Sequence, residues 1–250
     1  HIYCYIIVSF KKINTLIITY MKLILIIFIR LNSKRLKNKG ILKIGNKSII
    51  EIIIERCLQC INKKYLIVAT SKEKINNKLV DILKRKKIKI FRGSEKNVRD
   101  RAIQCCIKFK ARGFIRINAD RPFFDYKHLN KMIKLYKSGK FDIVSNKKSI
   151  NKSKGLTLEI IKFNKFLNIN NQIRKSDKEH ILNYFYRNHK KYIIKYTNQL
   201  SENININLAL DNLKNFKMIE KIYKYFKYDY LVNTNKVIKF LREKNGNFRY

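Results

Sequence analysis

Five cations fall within the segment "IRLNSKRLKNKG", positions 29–40: Arg30, Lys34, Arg35, Lys37 and Lys39. Long cationic side chains with a serine, Ser33, among them suit a phosphate chain, because guanidinium and ammonium groups donate charge-assisted hydrogen bonds to its oxygens. A solvated Lys-rich turn is the alternative reading of the loop taken alone. Arg is concentrated further on as well: of the 14 Arg, eight lie in this loop or in the series Arg92, Arg99, Arg101, Arg112, Arg116 and Arg121. Neither GxxxxGK[ST] nor GxGxxG occurs, so cationic side chains would have to do what glycine-lined backbone does in those loops. Cys57 and Cys60 form a CxxC, but no second CxxC or paired His follows at metal-ligand spacing. Its setting in "IIEIIIERCLQCI" places both thiols on a packed helix in a reducing compartment.

These residues need elements to hold them. Apolar runs of strand length at Lys22–Ile29, Tyr65–Ala69, Ile88–Phe91, Phe114–Ile117 and Phe141–Val144 alternate with helical patterns. The helices are expected over Lys47–Cys60, Glu73–Lys86, Asn97–Lys110 and Tyr126–Lys137. In the third, Val98, Ala102, Cys106 and Phe109 recur on one face. Beyond a polar connection at 146–156, the pattern predicts a strand at Thr157–Ile161, a helix near Asp177–Tyr186, a strand at Tyr192–Tyr196 and helices over Leu213–Phe226 and Asn235–Lys244. The class is therefore α/β, a mostly parallel, Rossmann-like nucleotide-binding sheet with helices on both faces. Ligands of such sheets sit beyond the carboxyl ends of the strands. "RLNSKRLKNKG", "TS", "RGSEKNVRDR" and "NADRPFFD" each follow one of the first four strands.

The chain has 250 residues and is 46% hydrophobic, enough to bury a core. Its formal net charge of +41 would ordinarily suggest a polyanionic partner. The excess is mostly Lys, 44 against 14 Arg, spread along the chain amid abundant Ile and Asn, as an AT-rich coding sequence produces. Nucleic-acid binders concentrate a basic stripe with interleaved aromatics; here the Arg clusters follow strand ends, so no specific nucleic acid is expected. "TLIITYMKLILIIFI" resembles a membrane segment, but Lys22 interrupts it, and a spanning helix needs ~20 apolar residues. The expectation is that residues 1–20 are a dispensable extension before Met21. Residues 21–250 then form one domain, with no membrane span and a cytoplasmic location.

The loop "RLNSKRLKNK" resembles the R-x-x-S-x-R-L-P-G-K loop of sugar cytidylyltransferases, the enzymes that make CMP-activated acidic sugars. "IVATS", "FRGSEKNVRDRAIQ", "RINADRPFFD", "DIVSN", "GLTLEI", "SDKEHILNYFYRN" and "ALDNLKNFKMIEKIY" continue the resemblance from about Met21 to Tyr228, in an order and spacing similar to those of the spore-coat polysaccharide branch. The resemblance implies transfer of CMP from CTP to a nonulosonate-like acidic sugar, with release of pyrophosphate and use of Mg²⁺, in surface polysaccharide or glycan synthesis. It implies that Arg30, Arg35 and Lys39 hold the triphosphate with Ser33, and that Arg30, Lys39 and Asp120 are catalytic. It implies that Thr70, Ser71, Arg92 and Ser94 complete the nucleotide site. Asp120 and Asp211 would bind the metal, while Glu159, Glu179 and His180 would face the sugar. Residues 146–200 would form the sugar-binding and dimerisation portion of a homodimer.

The sequence departs from that pattern. Lys37–Asn38 replaces Pro-Gly, Phe28–Ile29 stands for Gln-Ala, Asn97 for a common Asp, Thr157 for the Asp of G-L-D-x-E, and "NLALD" for an R-W-T-V-D run. A nucleotidyltransferase with another nucleotide or acceptor, and a catalytically idle basic subunit, are the alternatives. Taken as residues alone, Asp120 could shape a turn, Asp211 could cap the following helix, His180 could be structural, and Arg99 and Arg101 could pair with Glu95 and Asp100 on a helix face.

Overall fold

The computed structural model describes residues 22–33, 35–148, 153–169, 173–198 and 206–243. The expected extension at 1–20 lies outside them, as do Lys34 and part of the 146–200 portion.

The first strand, β1 (Leu23–Phe28), is buried along its whole length. Its alternating side chains divide between two cores, Leu23, Leu25 and Ile27 on one face and Ile24, Ile26 and Phe28 on the other. A two-residue hairpin, β2 (Lys43–Ile44) and β3 (Lys47–Ser48), follows and leads into helix α1 (Ile49–Leu58). Ser48 and Glu51 close a capping box at the start of α1. Then come β4 (Leu66–Ser71), α2 (Asn77–Arg85), β5 (Lys89–Gly93), α3 (Val98–Lys108), β6 (Gly113–Asn118) and α4 (Tyr126–Lys137). The chain continues through β7 (Ile143–Ser145), β8 (Glu159–Lys162), α5 (Phe163–Leu167), α6 (Asn183–Arg187) and β9 (Ile194–Tyr196). It closes with α7 (Leu213–Tyr225) and α8 (Thr234–Glu243).

Seven strands form one sheet in the order β5-β4-β1-β6-β8-β7-β9. Helices α1, α2, α4, α7 and α8 cover one face, and α3, α5 and α6 the other. The sheet is parallel except for β8, which runs antiparallel to both β6 and β7. Asn146 explains the reversal. Its side-chain amide donates to the Leu156 carbonyl at 3.0 Å and its oxygen accepts from the Leu158 amide at 2.7 Å, turning the chain back on itself. The expected helix near Asp177–Tyr186 is not continuous: a 3-10 turn, Lys175–Lys178, precedes the short α6. Buried Asp177 accepts from the Arg174 amide at 2.9 Å and from Arg187 at 3.0 Å, capping the turn from within.

Arg56 on α1 locks the C-terminal segment to this frame. Fully buried, it donates to the carbonyls of Phe124, Tyr230 and Val232 at 2.8–3.1 Å and to the Thr234 hydroxyl at 3.2 Å. Cys57 beside it is buried, and burial pushes its thiol well up. Burial likewise raises Cys60, to about 12, so the CxxC is packing rather than redox chemistry.

Candidate active site

At the carboxyl ends of β1 and β6 lies a cavity of about 820 Å³, room enough for a nucleotide and a second small molecule. The loop after β1 forms one wall. It is closed by the Asn38 amide donating to the Leu31 carbonyl at 3.0 Å. Asn38, which stands where a glycine is usual, itself adopts the left-handed conformation (φ 58°) that Asn tolerates better than most residues. The loop therefore keeps its turn without the Pro-Gly pair.

Arg30, Ser33, Arg35 and Lys39 all line the cavity. Each cation already has an acidic or carbonyl neighbour across it. Arg30 bonds Glu179 Oε1 at 3.1 Å and lies 3.7 Å from Glu95 Oε1. Arg35 bonds Asp211 Oδ1 at 2.9 Å. Lys39 donates to the Leu210 carbonyl at 3.1 Å and sits 3.7 Å from Asp120 Oδ2.

Asp120 and Asp211 are far apart in sequence, yet the Leu210 amide donates to the Asp120 carbonyl at 2.8 Å and sets the two segments side by side. Gly155 makes the approach possible. Its φ is +86°, and a Cβ there would collide with the Leu208 carbonyl group. The Leu208 amide in turn donates to the Lys154 carbonyl at 2.9 Å. Asp211 does not cap α7; that role belongs to Asn212, whose side chain accepts from the Asn215 amide. Asp120 Oδ1 is buried without a hydrogen-bond partner among the described residues. Arg121 Nε lies 3.7 Å from that oxygen, and a carboxylate set so in a cation-lined cavity fits a hard divalent cation that takes one or two carboxylates plus phosphate oxygens. Among the described residues no cluster of three or more His, Cys, Asp or Glu offers an all-protein metal cage.

Glu179 and His180 face the cavity from the stretch between the 3-10 turn and α6. Glu159 does not reach it. It is buried beneath the floor, accepting from Arg116 at 2.7 Å and from the Tyr186 hydroxyl at 2.8 Å. Burial pushes the Glu159 carboxyl up, but Arg116 and Arg121 outweigh that and hold it below its usual range. Its effect on a ligand would be exerted through Arg116, which does line the cavity. Arg121 donates to the carbonyl of Thr157, the residue standing where the family pattern has Asp, and its Nε lies 3.7 Å from Asp120 Oδ1.

Thr70 and Ser71 also lie away from the cavity surface. Both are fully buried at the end of β4 and do not line the cavity. Ser71 Oγ instead accepts from Asn76 at 2.7 Å, and Asn76 Oδ1 accepts from the Leu31 amide at 2.9 Å, so Ser71 steadies the basic loop from behind. Arg92 spends its donors on the turn after β4: the carbonyls of Ser71, Lys72 and Glu73 and the side chain of Asn77, at 2.8–3.2 Å. Ser94 accepts from the Asn97 amide at 3.1 Å and shapes the entry to α3.

Several cavity residues escaped sequence reading. Glu95 and Asn118 follow β5 and end β6, while Arg101 lies on α3. Arg101 does not pair along its helix: it is 2% exposed, and its Nε and Nη1 have no hydrogen-bond partner among the described residues. Desolvation lowers it to about 10, still protonated at neutral pH. The signal was present in the sequence, because Val98, Arg101, Ala102, Cys105 and Cys106 follow the i, i+3, i+4, i+7, i+8 stripe of a buried face. An arginine on such a stripe needs a partner. Arg99, by contrast, turns away to the carbonyl of Phe166 at 2.8 Å.

A mostly parallel sheet with a cavity at its carboxyl edge, lined by Arg30, Arg35, Lys39 and Asp120, is the setting of a nucleotide-handling transferase. The chain belongs to the cytidylyltransferase family, which it matches over residues 24–245. It is thus a nucleotidyltransferase of the CTP-using class. It is 33% identical over 209 residues to an uncharacterized protein of Methanocaldococcus jannaschii, covering 82% of this chain and 85% of that one. It is 29% identical over 174 residues to the spore coat polysaccharide biosynthesis protein SpsF of Bacillus subtilis, covering 67% and 70%. In fold it is similar to a cytidylyltransferase from Leptospira borgpetersenii (TM-score 0.83, 23% identity, 92% of this chain and 99% of that one). It is also similar in fold to CMP:2-keto-3-deoxy-manno-octonic acid synthetase complexed with CTP (TM-score 0.60, 13% identity, 82% and 99%). Among the described residues no helix is long and apolar enough to cross a membrane.

Proposed function

We propose that the protein transfers CMP from CTP to a hydroxyl of an acidic, nonulosonate-like sugar, releasing pyrophosphate, in the synthesis of a surface polysaccharide or glycan. The observation that carries this reading is one cavity lined by Arg30, Arg35, Lys39 and Asp120, with Asp211 paired to Arg35. Attack of a sugar hydroxyl on an α-phosphate calls for in-line placement and charge neutralisation rather than a covalent nucleophile. The basic loop would hold the triphosphate and orient its α-phosphate. Mg²⁺ held by Asp120 and Asp211 would neutralise charge on the phosphate oxygens. Arg116, positioned by Glu159, and His180 also line the cavity and would be available to the acceptor. Arg116, a buried cation in the cavity wall, makes a carboxylate-bearing acceptor favourable there.

The test is pyrophosphate release by the full chain with Mg²⁺ over a panel of CTP, UTP, ATP and GTP against nonulosonates and neutral sugars. Release that needs CTP and an acidic sugar together supports the proposal. Release with CTP and a neutral sugar alone would overturn the acceptor class.

A further inference from the structure

The cavity wall holds two buried polar groups that the phosphate chemistry leaves unused. Glu95 Oε2 has no hydrogen-bond partner among the described residues, and neither have Arg101 Nε and Nη1. Both line the same cavity, and among the described residues no ion pair joins them. Arg30 engages the other side of Glu95, with Nη1 3.7 Å from Oε1 and 3.4 Å from the backbone carbonyl. A buried acceptor and a buried donor left open in the same wall are costly unless a ligand completes them.

The chemistry of that ligand follows from the pair. A phosphate or carboxylate would meet Glu95 as a like charge, so the occupant has to be neutral and carry both a donor and an acceptor on one edge. Phe28 and Val98, also in the wall, add apolar surface beside this edge, as a flat ring requires. We infer that Glu95 and Arg101 read the edge of the nucleobase and set cytosine over uracil. Cytosine presents an amino donor at N4 beside acceptors at N3 and O2. A carboxylate only accepts and a guanidinium only donates, so the pair complements that order and cannot invert it. Uracil reverses the pattern at positions 4 and 3, setting O4 against the carboxylate and N3–H against the guanidinium. Arg30 then spans the two halves of the site, with its phosphate-facing end on one side and Glu95 on the other.

This inference rests on the nucleotidyltransferase reading, and the experiment separates the two. Titration calorimetry of the full chain with CTP and with UTP, in Mg²⁺, should show a preference for CTP of roughly ten- to a hundredfold. Glu95→Gln, whose amide can turn to donate to O4, should cut that ratio below about threefold; any change in phosphate binding is shared by both nucleotides and leaves the ratio untouched. Arg101→Met should weaken CTP far more than inorganic triphosphate. Arg101→Lys, which keeps the charge and loses the fork, serves if the Met variant does not fold. Wild-type protein that binds neither nucleotide would overturn the enzymatic reading and this one with it. Wild-type protein that binds both equally, or a CTP preference surviving in Glu95→Gln, would overturn the base-reading pair and leave the enzymatic reading standing.

Discussion

Replacing Asp211 by Asn tests whether the acidic groups of the cavity are resident counter-ions that a nucleotide and its metal exchange. Asp211 Oδ1 holds Arg35 at 2.9 Å, but the Arg35 side chain is 68% exposed. Solvent therefore screens the pair, and it is worth only ~0.2–1 kcal/mol despite the short distance. The amide of the Asp211→Asn variant keeps the shape of the carboxylate and releases Arg35. Without metal, CTP should consequently bind Asp211→Asn as tightly as wild type or up to about fivefold more tightly, at ~1.4 kcal/mol per decade. With Mg²⁺ the sign reverses. A lost carboxylate ligand removes ~2–4 kcal/mol of charge stabilisation in the transition state, so turnover should fall roughly thirty- to a thousandfold.

The assay is CTP titration calorimetry in EDTA and in Mg²⁺, paired with pyrophosphate release. Asp120→Asn is the companion variant: it frees Lys39, which lies 3.7 Å from Asp120 Oδ2. Weaker metal-free CTP binding in Asp211→Asn would refute the counter-ion role. Undiminished turnover in both variants, or full wild-type activity in EDTA, would refute the metal role.

Arg35→Ala and Lys39→Ala should each weaken CTP by roughly ten- to a hundredfold, the worth of a charge-assisted hydrogen bond of ~1.5–3 kcal/mol, whereas neutralising Lys84 and Lys134 together should leave calorimetric affinity nearly unchanged. Arg56→Met should cost ~3–5 kcal/mol in urea unfolding, because it strips the carbonyls of Phe124, Tyr230 and Val232 of their buried donor, while CTP affinity of the folded protein is kept. His128 is held below its ordinary value of 6.5 by burial, with its ring 2.9 Å from the Thr197 hydroxyl. Its folded pKa lies below its unfolded one, so its contribution is complete above about pH 6.5 and is lost as pH falls toward the folded value; His128→Gln should flatten the melting temperature between pH 7.5 and 5.5.

The basic loop was legible because its chemistry is local: the cations are contiguous, they follow an apolar strand, and strand order alone puts them at the ligand edge of the sheet. Asp120 was legible for the same reason. Glu159 and Thr70 were harder, since a residue at a strand end can point to the cavity or away from it, and only the pairing register decides. Glu159 sits opposite Arg116 across β6 and β8, an antiparallel register that a reading of alternating strands and helices cannot foresee. Ser71 and Arg92 carry hydrogen-bonding groups that looked fit for a ligand, but the turn between β4 and α2 engages both: Ser71 Oγ accepts from the Asn76 side-chain amide, and Arg92 donates to the turn's carbonyls.

Arg101 exposes a more general limit. A pairing rule for helix surfaces reads Arg99, Asp100 and Arg101 as a solvated charge run, and it holds only where the helix is solvated. Here the apolar stripe of α3 passes through Arg101, so the guanidinium is carried inward with Ala102 and Cys105. Packing on α3 brings it to the cavity wall, where Glu95 already stands. In a chain with a net charge of +41, most cations are interchangeable with their neighbours and say little about function. The informative ones are those that folding makes expensive: Arg56, which the fold completes with carbonyls, and Arg101, which it leaves open for a ligand. That contrast separates a structural arginine from a binding one, and it rests on burial and partners rather than on charge.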